Sequence, residues 1–351
     1  MTGELDCHVV ATPRNDRRIR LPRRCYSSQR RCCKDMIDWN TFSRPIVGLS
    51  PMADLTDLPF CLICKERGAS LMFREMVSSE AVVRKNPKTL EMARIDERER
   101  PLVQQLFGSD PATMAEAARI IEEKFQPDGF DINMGCPVYN IVSNFNGAFL
   151  IKEPERASAI IKAVKDAVSV PVSVKTRLGW EDDREILEFV KVVEDAGADL
   201  VTIHGRTKTQ GYTGKANWER VGEARKNTSL PLLVNGDIVS PETAKQAMEQ
   251  SGADGVLIGR GALGNPWIFR RIETYLSDGT LLPEPTIEER FATMISHAEN
   301  HAARYNGSLV KLRKHLPWYV KGFPHLRDLR AKLVRVSTVD DLKDTLYVSF
   351  P

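Results

Sequence analysis

Eight short apolar runs alternate with amphipathic segments between about residues 45 and 275, and this repeat constrains the fold more than any other feature. Strands that alternate with helices favour a parallel sheet with helical crossovers. Eight such units in about 230 residues match a (β/α)₈ TIM barrel. We predict strands that begin near residues 45, 70, 101, 129, 171, 200, 231 and 255, and helices that include residues 112–123, 155–167, 183–196 and 242–249.

A doubly wound open sheet is the structural alternative, but no Gly-x-Gly-x-x-Gly segment follows the first predicted strand.

After about residue 275 the alternation of strands and helices ends. Asp278-Gly279 and two prolines form a linker, and Thr286 with Glu289 has the spacing of a helix capping box. The predicted fold class is therefore α/β, a TIM barrel at 44–278 followed by a small all-helical domain at 284–347.

Residues 1–43 form a basic leader with eight arginines between positions 14 and 31. It lacks the apolar core of a secretory signal. The acids Glu4, Asp6 and Asp16 are unusual for an organelle transit peptide, so we expect a disordered leader or an over-extended translation start. No apolar stretch approaches the ~20 residues that cross a bilayer, and we expect no membrane partner.

The seven cysteines are an odd and scattered set, which points to a reducing compartment and a cytoplasmic protein. Cys61 and Cys64 have metal-site spacing, but no second pair follows to complete a zinc site. They lie in a predicted helix, where free cysteines behave as small buried hydrophobes. We therefore expect no bound metal and interpret both thiols as core packing.

The net charge of the chain is only +3, but its distribution is uneven. Between residues 304 and 335 nine basic residues face a single acid, Asp328. Such a stripe is typical of a surface that binds a phosphate backbone, and it is equally typical of a solvated face. Charge alone leaves both interpretations open.

Polar residues follow seven of the eight predicted strands, at their carboxyl ends. In a TIM barrel these ends share one face, where catalytic side chains lie. A single buried polar group is usually structural, but seven strand ends together are hard to explain in that way. The residues, in chain order, are Ser50-Pro51-Met52-Ala53, Gln105, Asn133 with Cys136, Lys175, His204 with Arg206, Asn235-Gly236-Asp237 and Gly259-Arg260-Gly261.

This set suits flavin mononucleotide (FMN). Glycines after strands seven and eight allow backbone N–H groups to approach a phosphate, and Arg260 can add a charge-assisted bond. Burying the Lys175 cation is costly without an anionic partner, which a reduced flavin supplies. Gln105 both donates and accepts hydrogen bonds, as the flavin pyrimidine edge requires.

Several motifs resemble those of tRNA-dihydrouridine synthases, in the order and spacing of that family. The resemblance covers about residues 45–335 and is nearest to bacterial-type members. It includes the helical part, through Arg313-Lys314-His315, Trp318-Tyr319, Lys321-Gly322 and Leu329-Arg330-Ala331-Lys332. The barrel motifs are Ser50-Pro51-Met52-Ala53-Asp54-Leu55-Thr56-Asp57, Asp131-Ile132-Asn133-Met134-Gly135-Cys136-Pro137, Thr202-Ile203-His204-Gly205-Arg206-Thr207, Asn235-Gly236-Asp237 and Ile258-Gly259-Arg260.

The resemblance implies an oxidoreductase in which NADPH reduces FMN, the flavin gives hydride to C6 of uracil in tRNA, and Cys136 protonates C5. A thiol suits this role because its usual pKa of ~8.5 keeps it protonated at neutral pH. The same resemblance implies that Asn133 and Arg206 hold uracil, and that tRNA, the only expected partner, contacts Arg313, Lys314, Arg330 and Lys332. The implied FMN ligands are Pro51, Met52, Ala53, Gln105, Lys175, His204, Asn235, Gly236, Asp237, Gly259 and Arg260.

The segment 138–149 departs from the family pattern, because the usual lysines after the Cys-Pro pair are absent and aromatic residues replace them. We expect this change to affect RNA positioning and activity but not flavin binding.

Two alternative functions stay open. A dihydroorotate- or dihydropyrimidine-type FMN oxidoreductase would act on a free pyrimidine, but it has no use for the basic helical domain. A catalytically weakened tRNA-binding protein is supported by the altered segment alone.

Overall fold

The computed structural model describes residues 37–39, 41–323 and 326–349. Its eight strands are β1 (Ile46–Leu49), β2 (Leu71–Ser78), β3 (Leu102–Phe107), β4 (Gly129–Met134), β5 (Val172–Arg177), β6 (Leu200–His204), β7 (Leu232–Asn235) and β8 (Gly255–Ile258). They are parallel and pair in sequence order, and β8 pairs with β1 to close the barrel. The predicted TIM barrel is confirmed.

The described helices before the linker alternate with the strands. They are α1 (Leu58–Glu66), α2 (Ser79–Val83), α3 (Pro87–Met92), α4 (Pro111–Phe125), α5 (Tyr139–Val142), α6 (Pro154–Ala167), α7 (Glu185–Asp195), α8 (Trp218–Arg225), α9 (Pro241–Ser251) and α10 (Ile268–Asp278). Short 3₁₀ turns lie at Glu97–Glu99, Gly147–Lys152 and Arg260–Ala262. All four predicted helical segments are helical, although α7 begins two residues later than predicted.

Helix α4 illustrates how local chemistry sets these elements. The Asp110 side chain accepts the backbone N–H of Thr113 at 2.8 Å, and Pro111 occupies the first turn, where its missing N–H costs nothing. The helix ends where Gln126 adopts a left-handed conformation. Its inward side buries Met114, Ala117, Ala118, Ile120 and Ile121 against the barrel wall.

A hydrophobic cluster fills part of the barrel interior. Its buried side chains are Ile46, Leu71, Phe73, Val103, Leu200, Leu233 and Leu257. Ile37 and Trp39 belong to the same cluster and are buried, so residues 37–39 pack against the barrel although the predicted leader extends to residue 43. Their apolar side chains explain the difference, since burial there removes them from water. Residues 1–36 and 40 of the predicted leader lie outside the described residues.

The helices after the linker are α11 (Ile287–Arg304), α12 (Leu316–Tyr319), α13 (Arg327–Leu333) and α14 (Val339–Ser349), with a 3₁₀ turn at Leu312–Lys314. The predicted capping box is present, because Thr286 caps the N–H of Glu289 and Glu289 caps that of Thr286. These helices have a hydrophobic cluster of their own. They also contact the barrel, where Arg67 donates to Thr293 at 2.9 Å.

Cys61 and Cys64 are fully buried in α1, which confirms their interpretation as core packing. Within the part of the chain that the structure describes, no cluster of three or more His, Cys, Asp or Glu residues has the arrangement of a metal site. No helix among the described residues has the length and apolar character that a membrane span requires.

Candidate active site at the carboxyl ends of the strands

A cavity of about 820 Å³ opens at the carboxyl-terminal end of the barrel. Thirteen of the predicted site residues line it, although they come from seven different strand ends. They are Pro51, Met52, Ala53, Gln105, Asn133, Cys136, Lys175, His204, Asn235, Gly236, Asp237, Gly259 and Arg260. The structure therefore brings together every residue that the sequence analysis assigned to FMN.

Cys136 lies in a tight turn after β4 that several hydrogen bonds hold. The Oδ1 atom of Asn133 accepts the backbone N–H groups of Gly135 at 3.2 Å and Cys136 at 2.9 Å. The carbonyl of Cys136 accepts the N–H of Ala148 at 3.1 Å. Gly147 has φ +61°, and a Cβ there would lie 2.8 Å from that carbonyl oxygen, so this close approach requires glycine.

The thiol of Cys136 is half-buried at the cavity wall. Burial raises its pKa, and the nearby cations Arg177 and Lys175 only partly oppose this effect. The sulfur is therefore a protonated thiol at neutral pH, which is the state that a proton donor requires.

Lys175 projects into the cavity from β5. Its Nζ atom donates to Oδ1 of Asn235 at 3.0 Å, and Nδ2 of Asn235 donates to the Leu257 carbonyl at 2.7 Å. Burial lowers the pKa of Lys175 to about 8, with a further decrease from Arg177 and an opposing effect from Asp131. An anion bound in this cavity would raise that pKa again and would hold the lysine as a cation.

His204, at the end of β6, is an uncharged ring. Burial lowers its pKa well below the usual value, and the cations Lys175 and Arg177 add to this decrease. The ring centroid lies 6.4 Å from that of Tyr212. A neutral imidazole can donate one hydrogen bond and accept another, which suits the polar edge of a heterocyclic ligand.

Arg206, which the sequence analysis assigned to uracil binding, is not among the residues that line the cavity. Its side chain is buried. Its guanidinium donates to both oxygens of Asp237, at 2.9 and 2.7 Å, and to the carbonyls of Thr213 at 3.0 Å and Gly214 at 2.7 Å. Arg206 therefore links the Asp237 carboxylate to backbone carbonyls of the 207–216 loop.

The four predicted tRNA contacts in the helical region differ in their surroundings. Lys314, Arg330 and Lys332 are exposed. Arg313 is half-buried and donates to the carbonyls of Val336 and Arg335 and to Oγ of Ser337, at 2.8, 3.1 and 2.8 Å. Arg313 therefore connects two segments of the helical region, whereas the other three side chains lie in water.

The lining residues that the sequence analysis did not assign to the site include Arg177, Tyr212, Trp318 and Lys321. Arg177 follows Lys175 by two residues, and the period of a strand places both on the same side. That signal was available in the sequence. Trp318 and Lys321 come from the helical region, and the Lys321 Nζ atom lies 4.5 Å from the Trp318 ring centroid.

The altered segment after Cys136 lies at the rim of the cavity. Asn140 and Ile141 line the cavity, while the side chains of Val138, Tyr139 and Phe145 are 52%, 78% and 52% exposed. Phe145 has φ +62°, an uncommon conformation for a residue with a bulky side chain. Aromatic and apolar groups therefore occupy this part of the rim.

A closed parallel barrel with a thiol, an ammonium and a neutral imidazole around one cavity has the construction of a barrel oxidoreductase. Solved structures support the fold. The old yellow enzyme from Trypanosoma cruzi aligns with a TM-score of 0.51 and 14% identity over 74% of this chain and 93% of that one. A 2-naphthoyl-CoA reductase complex aligns with a TM-score of 0.52 and 11% identity, over 65% of this chain and 50% of that one.

Sequence relatives define the class more narrowly. The family model for dihydrouridine synthase matches residues 48–350. A probable tRNA-dihydrouridine synthase 1 of Synechocystis is 40% identical over 85% of this chain and 84% of its own length. The tRNA-dihydrouridine synthase B of Pseudomonas aeruginosa is 38% identical, over 83% and 89%. The chain belongs to the dihydrouridine synthase family, with bacterial-type relatives, and it is an oxidoreductase.

Proposed function

We propose that this protein is a cytoplasmic tRNA-dihydrouridine synthase that reduces the C5–C6 double bond of uridines in tRNA, with FMN as cofactor and NADPH as reductant. The names of its sequence relatives support the activity. The observation that carries the proposal is the convergence of Cys136, Lys175 and His204 on one cavity.

The lining of the cavity fits FMN. Lys175, Arg177 and Arg260 contribute positive charge, and among the described residues that line the cavity Asp237 is the only acid. At Gly259 an added Cβ would lie 3.5 Å from the sulfur of Met52, which is ordinary van der Waals contact without a clash. Gly259 follows β8, where barrels of this type commonly bind a phosphate. We propose that Arg260 and the backbone near Gly236 and Gly259 hold that phosphate.

When bound, FMN supplies the hydride for C6 of the uracil ring. The chain itself supplies the remaining groups. We propose that Lys175 and Gln105 hold the polar edge of the flavin, with Lys175 as a cation and Gln105 as both donor and acceptor. His204 would bind the cofactor as a neutral ring. Pro51, Met52 and Ala53 form the wall of the cavity at the end of β1.

Cys136 would transfer its proton to C5 of uracil from the side opposite the flavin. Because burial raises the pKa of its thiol, the proton stays on sulfur until substrate accepts it. Asn133 lies next to it in the lining and would orient the uracil. Arg206, which is buried and does not line the cavity, would act by holding the 207–216 loop rather than by contacting the base.

The substrate base must leave its stack to reach this cavity, since it cannot be reduced within folded RNA. A volume of about 820 Å³ is at the upper end of the range for ligand sites, roughly 300–1,000 Å³, and leaves space for a base beside a flavin. We propose that the exposed Lys314, Arg330 and Lys332 bind tRNA phosphates. Trp318 and Lys321 would then contact the RNA where it enters the cavity.

The test has two parts. The purified protein should be yellow with flavin absorbance, and tRNA from a strain that lacks the protein should lose dihydrouridine at specific positions. A colourless protein that FMN cannot reconstitute would exclude both this proposal and the free-pyrimidine oxidoreductase. Unchanged tRNA, together with flavin binding and turnover of a free pyrimidine, would favour the second enzyme.

A further inference from the structure

Asp131 is a buried carboxylate that opposes the decrease in the pKa of Lys175 and has no assigned role in binding or catalysis. It lies in β4 and is fully inaccessible to solvent. Its two hydrogen-bond donors are neutral groups: Nε2 of Gln105 lies 2.6 Å from Oδ2, and Oγ of Ser173 lies 2.7 Å from Oδ1. A buried carboxylate is costly, so its position in the barrel interior calls for a physical explanation.

The strand register places Asp131 directly beneath the site. Gln105, Asp131 and Ser173 are lateral neighbours on β3, β4 and β5. Two residues further along the same strands, Asn133 and Lys175 are also paired and line the cavity. Asp131 thus belongs to the polar layer that supports the floor of the cavity.

A continuous chain of hydrogen bonds connects Asp131 to the turn of Cys136. Nε2 of Gln105 donates to Asp131, and Oε1 of Gln105 accepts Nδ2 of Asn133 at 3.0 Å. Oδ1 of Asn133 then accepts the N–H of Cys136 at 2.9 Å. Every bond runs in the same direction, from the Cys136 backbone donor to the Asp131 acceptor.

The two side-chain amides in this chain could each rotate by half a turn, because their oxygen and nitrogen ends have nearly the same shape. The Cys136 N–H fixes one end, since it requires an acceptor. Asp131 fixes the other end, since it presents an acceptor to Gln105. If Gln105 turned, its nitrogen would face the nitrogen of Asn133, and Asn133 could keep only one of its two partners.

We propose that Asp131 is a positioning residue whose acceptor oxygen sets the amide orientation of Gln105 and, through Asn133, the geometry of the Cys136 turn. Gln105 thereby presents one fixed pattern of donor and acceptor to the cofactor side of the cavity. This inference deepens the proposed function and depends on it for its catalytic meaning. The orientation of the turn itself can be measured without any turnover.

Two substitutions distinguish the acceptor oxygen from the charge: Asp131→Asn removes the charge and keeps an acceptor, whereas Asp131→Leu removes both. In Asp131→Asn the amide oxygen can still accept from Gln105. Its nitrogen can face Ser173, whose hydroxyl has the Phe130 carbonyl as another acceptor at 3.2 Å. In Asp131→Leu the branched shape is kept in a larger side chain, but the acceptor is lost and a buried donor on Gln105 has no partner.

The experiment measures the alkylation rate of Cys136 by iodoacetamide in the purified full-length protein, followed on the Cys136 peptide by mass spectrometry. We expect Asp131→Leu to change this rate by about fivefold or more, since an unpaired buried donor costs ~1 kcal/mol or more. Asp131→Asn should stay within about twofold of the wild type. Ser173→Ala is the matched control. It removes a hydrogen bond to the same carboxylate, but that bond is not part of the chain that leads to Cys136, so the rate should also stay within twofold.

Other results overturn the inference. If Asp131→Leu leaves the rate unchanged, the residue only fills space, and if Asp131→Asn changes it as much as Leu does, the charge matters rather than the acceptor. Should Asp131→Leu fail to fold, Asp131→Val makes the same comparison with less volume. If the wild-type protein forms no dihydrouridine, the proposed function is refuted. The alkylation result would still stand, because it does not depend on turnover.

Discussion

Arg206 and Asp237 form an ion pair beneath the loop at 207–216, with Nη2 of the arginine 2.7 Å from Oδ2 of the aspartate. The arginine side chain is 2% exposed. Asp237 also accepts the N–H of Ala216 at 2.8 Å. The loop that carries Tyr212 to the cavity is therefore held by an ion pair between a buried arginine and a half-buried aspartate.

Replacing Arg206 should destabilise the protein. Arg206→Met removes the arginine donor from the Asp237 carboxylate and from two loop carbonyls, so we expect a loss of ~2–3 kcal/mol in the free energy of unfolding. Urea denaturation measures it. Arg184→Met is the matched control, because Arg184 pairs with Asp182 on the surface and should change stability little. If both substitutions lower the free energy of unfolding equally, the Arg206–Asp237 pair contributes no more to stability than a surface ion pair.

Stability should fall in mild acid because of the buried histidines in the helical region. Burial lowers the pKa of His315 to about 3 and that of His301 to about 4, so both are neutral in the folded state at pH 5. In the unfolded chain they have their usual pKa near 6.5 and bind protons. The unfolded state therefore binds more protons between about pH 4 and 6.5, and stability decreases as pH falls through this window.

His315→Leu tests this pH dependence. We expect the slope of unfolding free energy against pH to decrease by ~1.4 kcal/mol per pH unit at about pH 5, which corresponds to one proton. Denaturation series at several pH values measure the slope. The same slope in the variant and the wild type would mean that His315 is not neutral in the folded protein.

Removing the Lys175 cation should weaken flavin binding. Lys175→Met keeps most of the length of the side chain but removes the ammonium group in the cavity and its bond to Asn235. We expect FMN affinity to fall by about tenfold or more, the size of a lost charge-assisted hydrogen bond. Flavin fluorescence titration of the apoprotein gives the dissociation constant. Unchanged affinity would place the flavin elsewhere.

The exposed basic residues of the helical region should govern tRNA affinity. We expect Arg330→Ala and Lys332→Ala each to weaken tRNA binding and to reduce the slope of log affinity against log salt by about one. Lys162→Ala, an exposed lysine on α6 of the barrel wall, serves as the control and should leave the slope unchanged. If all three variants behave alike, tRNA does not bind the helical face.

Much of this architecture could be predicted from the sequence, because strand periodicity and the polar residues at strand ends are local signals. Those signals were enough to predict which residues between Pro51 and Arg260 line the cavity from the strand ends. The position of Arg206 did not, since its ion pair with Asp237 depends on the packing of a loop. Trp318 and Lys321 reach the cavity only because the helical region packs on the barrel, which no local pattern encodes.

The proton donor is the centre of this account. The most direct test incubates purified wild-type protein and Cys136→Ala with unmodified tRNA, FMN and NADPH, and measures dihydrouridine by mass spectrometry. We predict that the wild type forms dihydrouridine and that Cys136→Ala loses at least about a hundredfold in rate, the usual contribution of a general acid, while it keeps its flavin spectrum and tRNA affinity. Wild-type turnover by Cys136→Ala would contradict the account.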